Sequence, residues 1–374
     1  MSGDSLGPVI GIAMVALALP LALPLLIAPR RLTSFLLFGL LIAALSLASL
    51  SANDLVFLVA WELIALAAWG LGRLNARPGG AAAFPLGSAG LFGTTSLLAA
   101  IALRLPELDA LRDPVWVTAL AALAGLLAAV GLVMPIADRP PGARLDAVPA
   151  ILVGPAALAL GVLPVARLAT VPAPRLALLG LGALSIAFLL AACRRDDVWS
   201  LLSDLALGVL CALLASHAAG ERPTALLTVG VAIGAAIGLS SLALSLAEII
   251  RRSGESEIAR LGGHIADSPL LALGAASAGF LLVASLGTLG AAVGPRNVGL
   301  AREIGVIAPL LPALGAALAT GHLLGGLFGG EPRARLIARH SRLAGSLLML
   351  FALLAGAGLL ALPGLLAAAG AAGG

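Results

Sequence analysis

Glu62 is the residue best placed to do chemistry. It stands near the middle of an apolar stretch, residues 53–70, reading Asn-Asp-Leu-Val-Phe-Leu-Val-Ala-Trp-Glu-Leu-Ile-Ala-Leu-Ala-Ala-Trp-Gly. Burying a carboxylate in hydrocarbon costs on the order of 3 kcal/mol on insertion scales, so such a side chain faces protein or a water-filled cavity. There it can load and unload a proton, or simply hydrogen-bond a neighbouring helix. Two more titratable groups lie within apolar spans, Asp204 and His322, the latter flanked by Gly321 and Gly325. With Glu62 they are the proton-path candidates, although a structural hydrogen bond is the favoured reading of His322. Glu248 and His217 fall at span ends, where the expected roles are an interfacial carboxylate and a polar cap.

The elements that must position these groups are membrane helices. Apolar residues make up 61% of the chain and charged residues 11%, against about 45–50% and about 25% in soluble proteins. Mean hydropathy is +1.12. The fold class is therefore an all-α polytopic membrane protein. A bilayer crossing takes about 20 apolar residues. Twelve such spans can be counted, at about 7–29, 32–52, 54–72, 86–105, 115–137, 147–167, 174–193, 198–217, 223–249, 268–292, 304–328 and 343–370. The connections are too short for an extramembrane domain, and 250–267 reads as a surface loop or short interfacial helix. The N-terminal residues lack the basic region of a cleaved signal peptide.

The 22 basic residues are all arginine, and the chain has no lysine and no tyrosine. The arginines sit in loops, so the basic balance sets topology and does not signal nucleic-acid binding. Odd-numbered loops hold fifteen of them and even-numbered loops seven. The positive-inside bias puts the odd loops in the cytoplasm and both termini outside, in a bacterial-type cytoplasmic membrane. Cys193 and Cys211 lie in or beside apolar spans and suggest neither a disulfide framework nor a metal site. There is no iron–sulfur cysteine cluster and no haem-ligating His pair, so the expectation is a subunit without a cofactor or a catalytic centre.

The spans are dense in small residues, as in Ala-Gly-Leu-Phe-Gly at 89–93, which lets helix backbones approach closely. Pro20, Pro24, Pro135, Pro155, Pro164, Pro309 and Pro312 fall within spans. A proline frees a carbonyl and can break a helix where protein or a cavity satisfies the backbone again. Broken helices near the midplane are typical of ion-handling folds, while ordinary kinking is the plainer reading of any one proline.

Apolar–Trp61-Glu62-Leu63–apolar resembles the glutamate helix of the antiporter-like membrane subunits. That superfamily includes subunits of respiratory complex I, Mrp-type antiporters and group 4 membrane-bound hydrogenases. Three later stretches are similar to it in the same order. Residues 131–143, Gly-Leu-Val-Met-Pro-Ile-Ala-Asp-Arg-Pro-Pro-Gly-Ala, keep the proline spacing of the family's Leu-Pro-Asp-Ala-His loop through Pro135 and Pro141, and Gly161 to Arg167 match the end of the helix that follows. Asp197, Leu201, Leu202 and Gly208 match the family's Asp-Leu-Lys-Arg-Leu-Leu-Ala-Tyr-Ser-Ser-Ile-Gly. Residues 262–269, Gly-Gly-His-Ile-Ala-Asp-Ser-Pro, resemble the approach to a second broken helix, matched here to Ala284 through Gly290. The resemblance implies two five-helix repeats of inverted topology, at about 32–167 and 174–328. An N-terminal helix at 1–31 and a cytoplasmic loop with a C-terminal helix at 329–374 would flank them. On this mapping the chain lacks the first two helices of the family's fourteen.

The resemblance also implies a proton wire of a glutamate and lysines. Here the expected lysine positions fall at Val130 and Ala159, both apolar. Arginine cannot substitute, because it stays protonated. Glu62 is thus expected to sit neutral and to donate a hydrogen bond to a neighbour.

Three functions remain open. The first is a degenerate antiporter-like subunit of a multi-subunit complex I-like or hydrogenase-like redox complex, mainly structural or coupling. Its partners would be sister membrane subunits, the lipid bilayer and a soluble arm with iron–sulfur subunits. The second is an active proton or cation channel subunit, including one for inorganic carbon uptake. The third is a stand-alone secondary transporter, which the scarcity of midplane polar groups disfavours.

Overall fold

The computed structural model describes residues 6–22, 31–74, 83–105, 113–134, 136, 148–218, 222–263, 269–293, 300–329, 350 and 354. Within them lie eleven helices: α1 Leu6–Ala18, α2 Arg31–Leu50, α3 Asp54–Leu74, α4 Ala83–Ala102, α5 Pro114–Val133, α6 Val148–Leu168, α7 Arg175–Ala192, α8 Val198–Ala218, α9 Arg222–Ser253, α10 Pro269–Val293 and α11 Leu300–Phe328. Among the described residues nine helices are long and apolar enough to cross a membrane, and two shorter apolar helices, Pro8–Leu21 and Phe92–Ala102, accompany them. These elements coincide with the first eleven expected spans. The twelfth span and the loop before it fall almost wholly outside the described residues, as do Pro24 and Pro135.

Local chemistry sets the helix starts. Asn53 Oδ1 accepts from the Leu55 amide at 2.8 Å, capping α3. Asp54 in its first turn and Arg73 in its last both suit the helix dipole. Asp113 caps α5 ahead of Pro114, accepting from the Val115 amide at 3.0 Å. Asp197 caps α8, accepting from the Ser200 amide at 2.9 Å.

α6 is buried along its whole length and touches α1, α3, α4, α5, α8 and α9. Where α5 crosses it, a β-carbon at Gly125 would collide with the Gly161 carbonyl, so only glycine permits this approach. Pro155 lacks an amide hydrogen and opens α6 into a wide turn over Leu152–Ala156, in which the Ala157 amide reaches back five residues to the Leu152 carbonyl. Ser240 of α9 closes the gap, donating to the Ala150 carbonyl at 3.0 Å. Gly154 makes room for it, since a β-carbon there would collide with Ser240 Oγ. Pro164, further along α6, leaves the helix intact. The residues matched to a second broken helix, 284–290, lie within the continuous α10. They contain no proline, so nothing removes an amide from that ladder.

Even-numbered loops meet each other, and odd-numbered loops do likewise. The Ala173 amide donates to the Ala218 carbonyl at 2.7 Å, joining the sixth and eighth connections. The seventh and ninth pair through Val198 N to Ser256 O at 2.9 Å and Ile258 N to Asp196 O at 2.7 Å. This is the alternation that the span count requires.

Candidate functional site

Two separate polar sites stand out among the described residues. The first surrounds Glu62. Thr94 of α4 donates through Oγ1 to Glu62 Oε1 at 2.5 Å. The residue before Glu62 is also held: the Trp61 indole N–H donates to the Leu160 carbonyl at 3.0 Å. That carbonyl would ordinarily take the amide of residue 164, which is proline. The expected lysine positions are both apolar. Ala159 precedes Leu160 and is fully buried, while Val130 is half-buried against the core. α4 is seated on α5 beside Thr94, where a β-carbon at Gly93 would stand 3.2 Å from the Ala124 carbonyl. Among the described residues no cation reaches Glu62. The carboxyl is thus anchored by a hydroxyl in apolar surroundings.

The outer end of this site is charged. Asp54 receives Arg104 at 2.9 Å and Arg167 at 3.1 Å, from the ends of α4 and α6. Arg167 also donates to the Ser51 carbonyl at 2.6 Å and stacks 4.9 Å above the Phe57 ring. The start of α3 is therefore tied to two other helices at one membrane face.

The second site centres on Arg195, in the connection between α7 and α8. Its Nε donates to Asp204 Oδ2 at 2.6 Å, and Asp204 is almost fully buried while Arg195 is half exposed. This hydrogen bond, with the carboxylate's charge, pushes the Arg195 pKa up from an already high value. His322 Nε2 lies 3.3 Å from the Arg195 backbone carbonyl. One arginine thus gathers Asp204 and His322, and no described contact extends from them to Glu62. Ser203, beside Asp204, donates to the Val133 carbonyl at 3.2 Å.

Two further titratable residues lie at span ends, outside both sites. Glu248 is fully enclosed by protein, bonded by Arg251 at 2.7 Å and Arg252 at 2.8 Å one turn further along α9. Both ring nitrogens of His217 are buried without a partner among the described residues. Among the described residues no three His, Cys, Asp or Glu side chains cluster in a way that could hold a metal. Thr94 and Arg195 were not singled out by sequence reasoning. A hydroxyl in an apolar span and an arginine before a helix cap are too common to be signals alone.

The helices and their packing define a polytopic all-α membrane protein. No protein-family model matches this chain, and no curated protein matches it. Among solved structures, a chain in the structure of the Mrp complex from Dietzia sp. DQ12-45-1b is similar, with a TM-score of 0.70 at 20% sequence identity. The similarity covers 98% of this chain and 44% of that one. The two share a fold, and this chain spans less than half the length of its neighbour.

Proposed function

We propose that the chain is an antiporter-like transmembrane subunit of a multi-subunit complex I-like or hydrogenase-like assembly, with a degenerate proton path and a mainly structural or coupling role. The observation that carries this reading is the surroundings of Glu62. A wire of a glutamate and lysines needs a titratable partner for the carboxyl, whereas Glu62 is bonded by Thr94 and the expected lysine positions are the apolar Val130 and Ala159. The fold likeness to an Mrp complex chain supports the superfamily reading. On it, residues 32–167 and 174–328 are inverted repeats, sister membrane subunits pack alongside, and a soluble arm with iron–sulfur subunits carries any redox chemistry. The chain itself holds no cofactor.

A second reading has one observation in its favour. Asp204 and His322 meet at the half-exposed Arg195, as a proton entry point would require. An active channel would then use Asp204 and His322 with Glu62.

Purification of the native assembly in mild detergent tests the proposal. Sister membrane subunits with an iron–sulfur arm are the expected companions. A lone, monodisperse protein would overturn the subunit reading.

A further inference from the structure

A ring of contacts closes around the Arg195 site. The Ile258 amide donates to the Asp196 carbonyl at 2.7 Å, and the Val198 amide donates to the Ser256 carbonyl at 2.9 Å. Between them an antiparallel bridge pairs Asp197 with Glu257. The Ile258 side chain is almost fully buried and lies against Gly326 of α11, where a β-carbon would stand 2.2 Å from Ile258 Cγ2. His322 is one turn earlier on α11. Its Nε2 returns to the Arg195 carbonyl at 3.3 Å. Ile258 thus grips both sides of the site, the α7–α8 connection by its amide and α11 by its side chain.

The segment that carries Ile258 begins and ends at a glycine. Gly254 and Gly263 have φ of 73° and 82°, and they are the described residues with positive φ. Glycine takes this conformation without steric cost, so the chain can turn sharply at both points. Between them Ile258 and Leu261 are buried. Glu255, Glu257 and Arg260 are exposed and pair with one another. Exposed pairs of this kind add little. The anchors of the segment are therefore its two backbone hydrogen bonds and its two buried apolar side chains.

We propose that residues 255–262 form a strap hinged at the two glycines and latched by Ile258 at Gly326, and that the closed strap keeps Arg195 in place over Asp204. Arg195 is half exposed and Asp204 almost fully buried. Water can take up a freed guanidinium, so the pair depends on where the backbone of the connection is held. His322 holds the Arg195 carbonyl, and Ile258 holds the carbonyl of the next residue. Release of the strap removes the second hold, frees Arg195 to turn into solvent and uncovers Asp204 from the face of the odd-numbered loops. The strap does not depend on the subunit reading, because latch and site belong to one chain.

Gly326→Ala tests this in the full chain, because it fills the notch of Ile258 and alters no titratable group. Two readings are taken, amide hydrogen exchange at Val198 and Ile258, and modification of carboxyls by a water-soluble carbodiimide mapped by peptide mass. The expected result is several-fold faster exchange at both amides and several-fold more modification of Asp204, with Glu62 modified as in the parent chain. Unchanged exchange would overturn the latch. Faster exchange with Asp204 still protected would overturn the cover, and an equal rise at Glu62 and Asp204 would show general loosening and count against both. Ile258→Ala empties the same notch without a clash and should change the two readings in the same direction. Asp204 as well protected in that variant as in the parent chain would also overturn the proposal.

Discussion

Trp61 and Leu160 are joined by a hydrogen bond that a proline makes necessary. The indole N–H of Trp61 donates at 3.0 Å to a carbonyl whose helical partner would be the missing amide of Pro164. Trp61 is thereby fixed in rotation, and Glu62 with it. Trp61→Phe orphans the buried carbonyl and should cost about 1–3 kcal/mol. In a Pro164→Ala background the amide restored at that position can take the carbonyl, so the same substitution should cost less. Thermal unfolding in detergent across this double-mutant cycle is the measurement. Equal costs in the two backgrounds would show that the bond and the proline are independent.

The arginines around Asp54 are not equivalent. Arg104 makes a partly exposed ion pair, of a kind worth about 0–1 kcal/mol. Arg167 is better buried and adds the Ser51 carbonyl bond and the Phe57 stack. Arg167→Ala should therefore lower the melting temperature clearly more than Arg104→Ala. The reverse order would contradict the role given to Arg167.

Most of the fold could be read from the sequence, because hydrocarbon leaves a chain few options. Eleven helices appear at the expected positions, and nine of them are, among the described residues, long and apolar enough to cross a membrane. The loop contacts agree with the alternation that the span count requires. Helix breaks were less legible. Pro155 opens α6, while Pro164 lies in intact helix because a tryptophan three spans earlier in the chain takes up the freed carbonyl. No local pattern encodes that compensation. The site was legible only in its titratable members. Glu62, Asp204 and His322 stood out as polar residues in apolar runs, but their partners Thr94, on the next helix, and Arg195, in the connection before α8, are set by how neighbouring elements pack.

Arg195 and Asp204 should respond unequally to truncation. Arg195 is half exposed and can return to water when its partner is removed. Asp204 is buried and cannot. Arg195→Ala should thus be more destabilising than Asp204→Ala, and the double variant should recover part of the loss. A single variant at Asp204 that proves the more harmful would contradict this reading.

Orientation follows from the arginine asymmetry, fifteen in odd-numbered loops against seven in even-numbered ones. Both termini should be extracytoplasmic and the 329–342 loop cytoplasmic. A compartment-specific reporter fused after Gly374 should be active outside. Activity confined to the cytoplasm would reverse the assignment.

On the proposed function, Glu62 hydrogen-bonds and does not cycle protons. Glu62→Gln keeps an oxygen to accept from Thr94, so the variant should assemble normally. Glu62→Ala removes the acceptor and should cost about 1–3 kcal/mol, seen as poorer assembly. The deciding measurement is proton translocation by the whole complex, normalised to assembled complex, in the two variants. The account predicts unchanged translocation per complex in both. A Glu62→Gln variant that assembles normally but no longer translocates protons would contradict it.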